Sequence, residues 1–147
     1  MKIGVISDTH GLIRDELLEK LCSVDYILHA GDIGDIDVYN RLKEIAPLIA
    51  VRGNMDQCLA IPSTECVELE GRQIYLIHDL ELLSFIPKVA GFDVIIHGHT
   101  HQPERYIENE VLYLNPGSAG PRRYSKPISM AYLYVSKEDI DVEFVEL

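Results

Sequence analysis

Five apolar runs in this chain each lead into a short cluster of metal-ligating and turn-forming residues. The runs are Ile3-Gly4-Val5-Ile6, Tyr26-Ile27-Leu28, Leu48-Ile49-Ala50-Val51, Ile74-Tyr75-Leu76-Ile77 and Val94-Ile95-Ile96. The clusters after them are Asp8-Thr9-His10, Gly31-Asp32, Gly53-Asn54, His78-Asp79 and Gly98-His99-Thr100-His101. A short apolar run bounded by turn residues reads as a buried strand. Open α/β sheets hold their ligands beyond the carboxyl ends of such strands. Strand ends therefore deliver Asp, His and Asn side chains to one rim, which predicts a metal site with enough ligands for two ions.

The remaining pattern places these strands in a fold. Strand 2–7, a helix near 14–22, strand 25–29, a helix near 37–46 capped by Asp35 and stopped by Pro47, and strand 48–51 form a βαβαβ unit. Leu17, Leu18 and Leu21 form the apolar face of the first helix, and Tyr39, Leu42 and Ile45 recur on the second. Segments 64–69 and 73–78 flank a Glu70-Gly71-Arg72 turn and read as a hairpin. A helical stretch near 82–90, interrupted by Pro87, precedes strand 93–97. Strands at 105–108, 111–115, 129–135 and 140–145 read as an antiparallel meander. Parallel strands first and a meander afterwards predict an α/β fold of two mixed sheets packed face to face, with flanking helices. The 147 residues are expected to form a single domain, 1–147.

Charge narrows the partners. A net charge of −11 and scattered basic residues give no stripe for a nucleic-acid backbone, so no duplex groove is expected. No segment approaches transmembrane length, and the apolar stretch before Asp8 is too short for a signal-peptide core, which predicts a cytoplasmic protein without a membrane partner. A homo-oligomer is compatible with the composition. Cys22, Cys58 and Cys66 form no CxxC pair and predict no disulfide framework; Cys22 is expected in the core. Cys58 falls close enough to Asn54 to lie near the site.

The clusters carry a definite chemistry. Asp8 and His10 are two residues apart, as are His99 and His101, and alternate residues of a strand point the same way. Asp32 can bridge two ions, Asn54 offers a neutral carbonyl oxygen and His78 a ring nitrogen. Mixed imidazole and carboxylate suit Zn, Fe, Mn or Ni better than Ca or a lone Mg. Two divalent ions against the two carboxylates leave an excess of about +2, which attracts phosphate and acidifies water. The arrangement favours hydrolysis of a phosphoester. His29 and His97 read as core histidines.

The ordered set Asp-x-His, Gly-Asp, Gly-Asn-x-Asp, His and Gly-His-Thr-His resembles the calcineurin-like metallophosphoesterase superfamily. Val51-Arg52-Gly53-Asn54 and Asn115-Pro116-Gly117-Ser118 resemble its compact bacterial and archaeal phosphodiesterase branch. The resemblance implies a two-sheet sandwich between helical layers and a two-metal site. One metal would take Asp8, His10 and His101; the other Asn54, His78 and His99; Asp32 would bridge them. It implies a hydrolase acting on a small phosphodiester or nucleotide-like substrate, with attack by a metal-bridging hydroxide and manganese favoured among Mn, Ni, Fe and Zn. Asp32, Asn54 and His99 would be catalytic. Arg122 follows the Asn115–Gly120 segment and Pro121, and is read from that position either as a catalytic residue holding a phosphate oxygen or as an ordinary surface charge. The alternative on the same fold is a non-catalytic metal-binding scaffold or interaction module, as in a retromer subunit. A TIM-barrel hydrolase needs roughly 200 residues or more and is excluded.

Two departures from that pattern matter. Met55 stands where many relatives carry a histidine that protonates the leaving group. Asp79 stands where relatives commonly carry glycine. Because it neighbours His78 in an extended segment, Asp79 is expected to face away from the metals and tolerate replacement by glycine. Asp56 is expected to brace the Asn54 loop, and Tyr124 to cover its own loop or to stack on a base.

Overall fold

The computed structural model describes residues 1–147 except 58 and 124, so the expectations for Cys58 and Tyr124 lie outside the described residues. The elements are β1 (Lys2–Ile6), α1 (Asp15–Leu21), β2 (Tyr26–His29), α2 (Ile36–Ile45), β3 (Leu48–Ala50), β4 (Thr64–Leu69), β5 (Arg72–Ile77), α3 (Pro87–Ala90), β6 (Val94–Ile96), β7 (Glu104–Glu108), β8 (Val111–Asn115), β9 (Ser129–Val135) and β10 (Ile140–Glu146). A 3₁₀ turn, Leu80–Leu82, lies between β5 and α3.

The strands form two five-stranded mixed sheets, β10-β9-β1-β2-β3 and β4-β5-β6-β8-β7. Their inner faces meet in one apolar layer, where Ile3, Val5 and Leu28 of the first sheet meet Ile74, Leu76, Ile96 and Leu114 of the second. The outer face of the first sheet is covered by Leu17 and Leu21 of α1 and Val38 and Leu42 of α2. The outer face of the second carries a smaller cluster, Ile77, Ile95, Val111 and Tyr113, packed by Leu80, Leu83 and Phe92. The fold is thus α/β, with two mixed sheets face to face and few flanking helices.

The C-terminal half departs from a simple meander. β8 pairs parallel with β6 and antiparallel with β7, so β7 becomes the edge. β9 and β10 return to the first sheet, with β9 antiparallel to β1. Burial explains the order. β8 is buried at every residue, and β9 at all but one, and such strands belong in sheet interiors; β7 and β10 keep exposed residues throughout and serve as edges.

Two local readings are also corrected. Pro87 does not interrupt a helix but opens α3, at the position where its missing N–H costs nothing, and Gly91 closes it at φ 89°. Cys22 is exposed, because it is turned roughly 100° past Leu21 and away from the buried stripe. Asp35 does cap α2, accepting from the Val38 N–H at 2.9 Å. Among the described residues no helix is long and apolar enough to cross a membrane.

Candidate metal centre

Parallel β1, β2 and β3 of one sheet and β5 and β6 of the other carry the five clusters at their carboxyl ends. The convergence does not come from strand alternation. Asp8, His10, Asp32, His99 and His101 all have positive φ, between 47° and 72°. Left-handed backbone is costly for residues with a Cβ, and such outliers gather at functional sites. Here they turn each side chain inward just past its strand. Backbone hydrogen bonds hold the strained turns: Asp8 N–H to Gly31 O, His10 N–H to Asp32 O and Gly11 N–H to Ile33 O, at 2.8–2.9 Å. Glycine permits the approach. A Cβ on Gly53 would strike Asp32, and one on Gly98 would strike Ser7 and Asp8.

Each aspartate is tethered by one oxygen and presents the other. Asp8 Oδ2 accepts from Ser7 Oγ at 2.6 Å and from the His99 N–H at 3.2 Å. Its Oδ1 is buried without a hydrogen-bond partner among the described residues. That oxygen lies 3.4 Å from His101 Nε2, 3.8 Å from His10 Nε2 and 3.9 Å from His78 Nε2. Asp32 Oδ1 accepts from the Met55 N–H at 2.9 Å, leaving Oδ2 3.3 Å from His78 Nε2 and 3.7 Å from His10 Nε2. His78 Nδ1 lies 2.7 Å from Ala30 O; donating there leaves the Nε2 lone pair facing the carboxylates.

The Asn54 side-chain oxygen sits among acceptors alone, 3.1 Å from His78 Nε2 and 3.1 and 3.3 Å from the Asp32 oxygens. Only a cation between them, or rotation of the amide to donate its protons, relieves that repulsion. Orphaned Asp8 Oδ1 and His10 Nε2 point the same way, since an unpaired buried polar atom costs about 1–3 kcal/mol. These residues fit divalent ions.

Two donor groups emerge, Asp8, His10 and His101, and Asp8, Asp32 and His78; within each group the ligand atoms lie within 4.8 Å of one another. Asp8 is common to both, so two aspartates, rather than Asp32 alone, lie between the histidine sets. The rings pair the same way, His10 with His101 at 5.4 Å and His78 with His99 at 5.2 Å. His99 is more peripheral, with a side chain 43% exposed. The Arg122 guanidinium is exposed and donates to Lys126 O at 3.4 Å, within its own loop.

Electrostatics follow the pairing. Burial alone would raise the Asp8 carboxyl, but His101, Ser7 and His78 outweigh it and hold it below the usual carboxylate value. Asp32 is lowered likewise, against burial, by His78 and the Met55 N–H. Burial would lower His78, yet Asp32 and Asp8 raise it. Burial pushes His29 and His97 down to about 4, so both stay neutral. His29 accepts from the Gly31 N–H and meets Thr9 Oγ1 at 3.0 Å, tying two loops together. His97 Nε2, by contrast, has no partner among the described residues.

Residues outside the donor set hold its loops in place, and Asp56 braces the Asn54 loop as expected from the sequence. Asn115 Nδ2 donates to Gly98 O and Thr100 Oγ1, and Ser118 Oγ donates to Asp8 O, so the late Asn-Pro-Gly-Ser segment buttresses both histidine-bearing loops. Asp56 accepts from the N–H groups of Ile33, Gly34 and Gly53, each at 3.0 Å, bracing the Asp32 loop as well as the Asn54 loop. Asp56→Ala leaves three N–H groups unpaired. It is expected to cost about 3–5 kcal/mol in urea denaturation and ~10- to 100-fold in metal affinity. A loss under about 1 kcal/mol would show that the brace is dispensable.

A cavity of about 650 Å³ opens on one side of the cluster. Asn54, His78 and His99 reach its wall, together with Arg52, Gln57, Asp79 and Leu82. Asp79 therefore does not face away. The turn at residues 80–82 breaks the extended alternation, and Asp79 Oδ2 lies 3.9 Å from His99 Nε2.

Comparison with known proteins comes to the same chemistry. Residues 1–138 match the model of the calcineurin-like phosphoesterase superfamily domain. The chain is 38% identical to a probable metallophosphoesterase of Methanothermobacter thermautotrophicus, across 99% of this chain and 92% of that one. It is 29% identical to the phosphodiesterase YfcE of Escherichia coli, across 90% and 87%. Its fold is similar to that of zinc-complexed Vps29 from Entamoeba histolytica, with a TM-score of 0.81, 24% identity and 99% of both chains covered.

Proposed function

Since this chain belongs to the calcineurin-like phosphoesterase superfamily and is a hydrolase, we propose that it cleaves small phosphodiesters at a site holding two divalent transition ions, manganese favoured. The observation that carries this reading is the pair of tethered aspartates. Asp8 and Asp32 each keep one oxygen free, and those oxygens face the Nε2 atoms of three histidines. Asp8, His10 and His101 would hold one ion; His78, Asn54 and His99 would hold the other; Asp32 lies between them with Asp8. When bound, such ions acidify water and stabilise charge on phosphoryl oxygens.

The chain's own residues do the positioning. Ser7, the His99 N–H and the Met55 N–H hold the carboxylates still, so little reorganisation accompanies reaction. The cavity beside His78 and His99 receives the ester, and its volume exceeds what a bare phosphate fills.

Reconstituted protein should bind two ions per chain by elemental analysis and calorimetry, and hydrolyse bis-p-nitrophenyl phosphate until chelated. Full activity after chelation, or a single ion at saturation, would refute the proposal. A non-catalytic interaction module is the second reading, favoured by exposed Leu82, Ile86 and Val89 beside the cavity-lining turn. Two bound ions without turnover of any ester would support it.

A further inference from the structure

Two residues of opposite charge, Arg52 and Asp79, line the cavity. Asp79 is not a loose surface acid. Its Oδ1 accepts from the Glu81 N–H at 3.1 Å, capping the turn at residues 80–82, and its side chain is only 27% exposed. That tether directs Oδ2 toward the His99 side of the cavity, 3.9 Å from Nε2. A tethered carboxylate thus stands in the cavity wall beside His99.

Resting on the phosphodiesterase reading above, we propose that Asp79 is a specificity-determining residue that disfavours doubly charged phosphate monoesters and so selects singly charged diesters. Arg52 also lines the wall, and the Asp79 carboxylate offsets attraction that a basic side chain there gives to an anion. Each additional negative charge on the ligand meets the Asp79 carboxylate. At separations of ~5–8 Å and a dielectric between protein surface and water, one extra charge is disfavoured roughly 3- to 30-fold. Because the wall is partly exposed, salt weakens the bias.

Asp79→Asn is the discriminating variant, because asparagine keeps the oxygen that caps the turn and removes only the charge. Metal-loaded wild type and variant are compared by calorimetry with inorganic phosphate and with dimethyl phosphate. Conditions are low ionic strength and a pH above about 8, where inorganic phosphate is doubly charged. The variant should bind inorganic phosphate about tenfold more tightly and dimethyl phosphate about threefold more tightly, one charge's worth of repulsion apart. The kcat/KM ratio of p-nitrophenyl phosphate to bis-p-nitrophenyl phosphate should rise in step, and salt should narrow the gap. Metal affinity, measured without any anion, should not change.

Equal shifts for both anions, or none, would overturn the proposal. Weakened metal binding would also overturn it, by placing Asp79 among the ligands. If wild type turned over neither ester, the phosphodiesterase reading would fail, while the two-anion binding comparison would still decide the role of the Asp79 charge.

Discussion

Asp32→Ala is expected to lower turnover of an aryl phosphodiester by more than about 10³-fold and to leave the protein unable to saturate with two ions. The substitution removes the Oδ2 that lies 3.3 Å from His78 Nε2 and 3.7 Å from His10 Nε2. It also removes the Oδ1 that fixes the Met55 N–H, and with it the turn that presents Asn54. Asp32→Asn separates these effects, since an amide oxygen can still accept from Met55 while the charge is gone. Both variants should lose the second ion, and Asp32→Ala should also lose order in the Asn54 loop, read as faster amide exchange at residues 53–56. Asp8→Ala should be at least as severe, because Asp8 belongs to both donor groups. Circular dichroism assigns the loss to the site if the fold is retained. Two ions at saturation and undiminished turnover in Asp32→Ala would end the dinuclear interpretation.

The second large effect concerns the leaving group. Met55 is 62% exposed and adjoins Asn54, a residue of the cavity wall, and a thioether has no proton to give. A positioned general acid contributes ~10²–10⁴-fold. Without one, the departing oxygen leaves as the anion, so rate should fall steeply as leaving-group pKa rises. Aryl diesters should be far better substrates than alkyl esters. Met55→His keeps the backbone N–H that holds Asp32 and adds an ionisable ring next to Asn54. It should flatten the slope, with the greatest gain, up to ~10²-fold or more, on the poorest leaving groups. The measurement is kcat/KM across aryl and alkyl phosphodiesters of graded leaving-group pKa. A flat wild-type series would mean that another group supplies the proton. A steep series unaltered by Met55→His would mean that a side chain at this position does not reach the leaving oxygen.

Buried strands were readable because apolar runs and turn residues are local signals. The same holds for single-residue punctuation: Asp35 capping α2 and Pro47 following it act on the adjacent turn, so neighbours decide them. Pairing between distant strands has no such local mark. Nothing within β9 says that Tyr134 lies opposite Lys2, and the signals of β7 and β8 are those of any hairpin. Which of the two becomes interior is decided by what covers it.

The site divides along the same line. Asp8, His10, Asp32, Asn54, His78, His99 and His101 could be named as a donor inventory, because ligand chemistry belongs to the side chain and does not depend on the fold. Their convergence rests on left-handed turns beyond the strand ends rather than on strand alternation, and such turns have no mark in the donor pattern. Arg52, far from the late Asn115–Ser118 segment in sequence, lines the cavity, a placement that no local signal announces. Strand alternation would turn Asp79 outward, and the following 3₁₀ turn breaks it, leaving Asp79 in the cavity wall.

The sequence by itself determined which donors exist, their order, and the strands that end on them. Only the tertiary structure decided which oxygen of each aspartate stays free. Asp8 Oδ2 is occupied by a donor 91 positions away, the His99 N–H, and Asp32 Oδ1 by one 23 positions away, the Met55 N–H. The His99 N–H arrives only when the two sheets bury their apolar faces against each other, and the Met55 N–H only when β3 pairs beside β2; both are properties of the assembled chain.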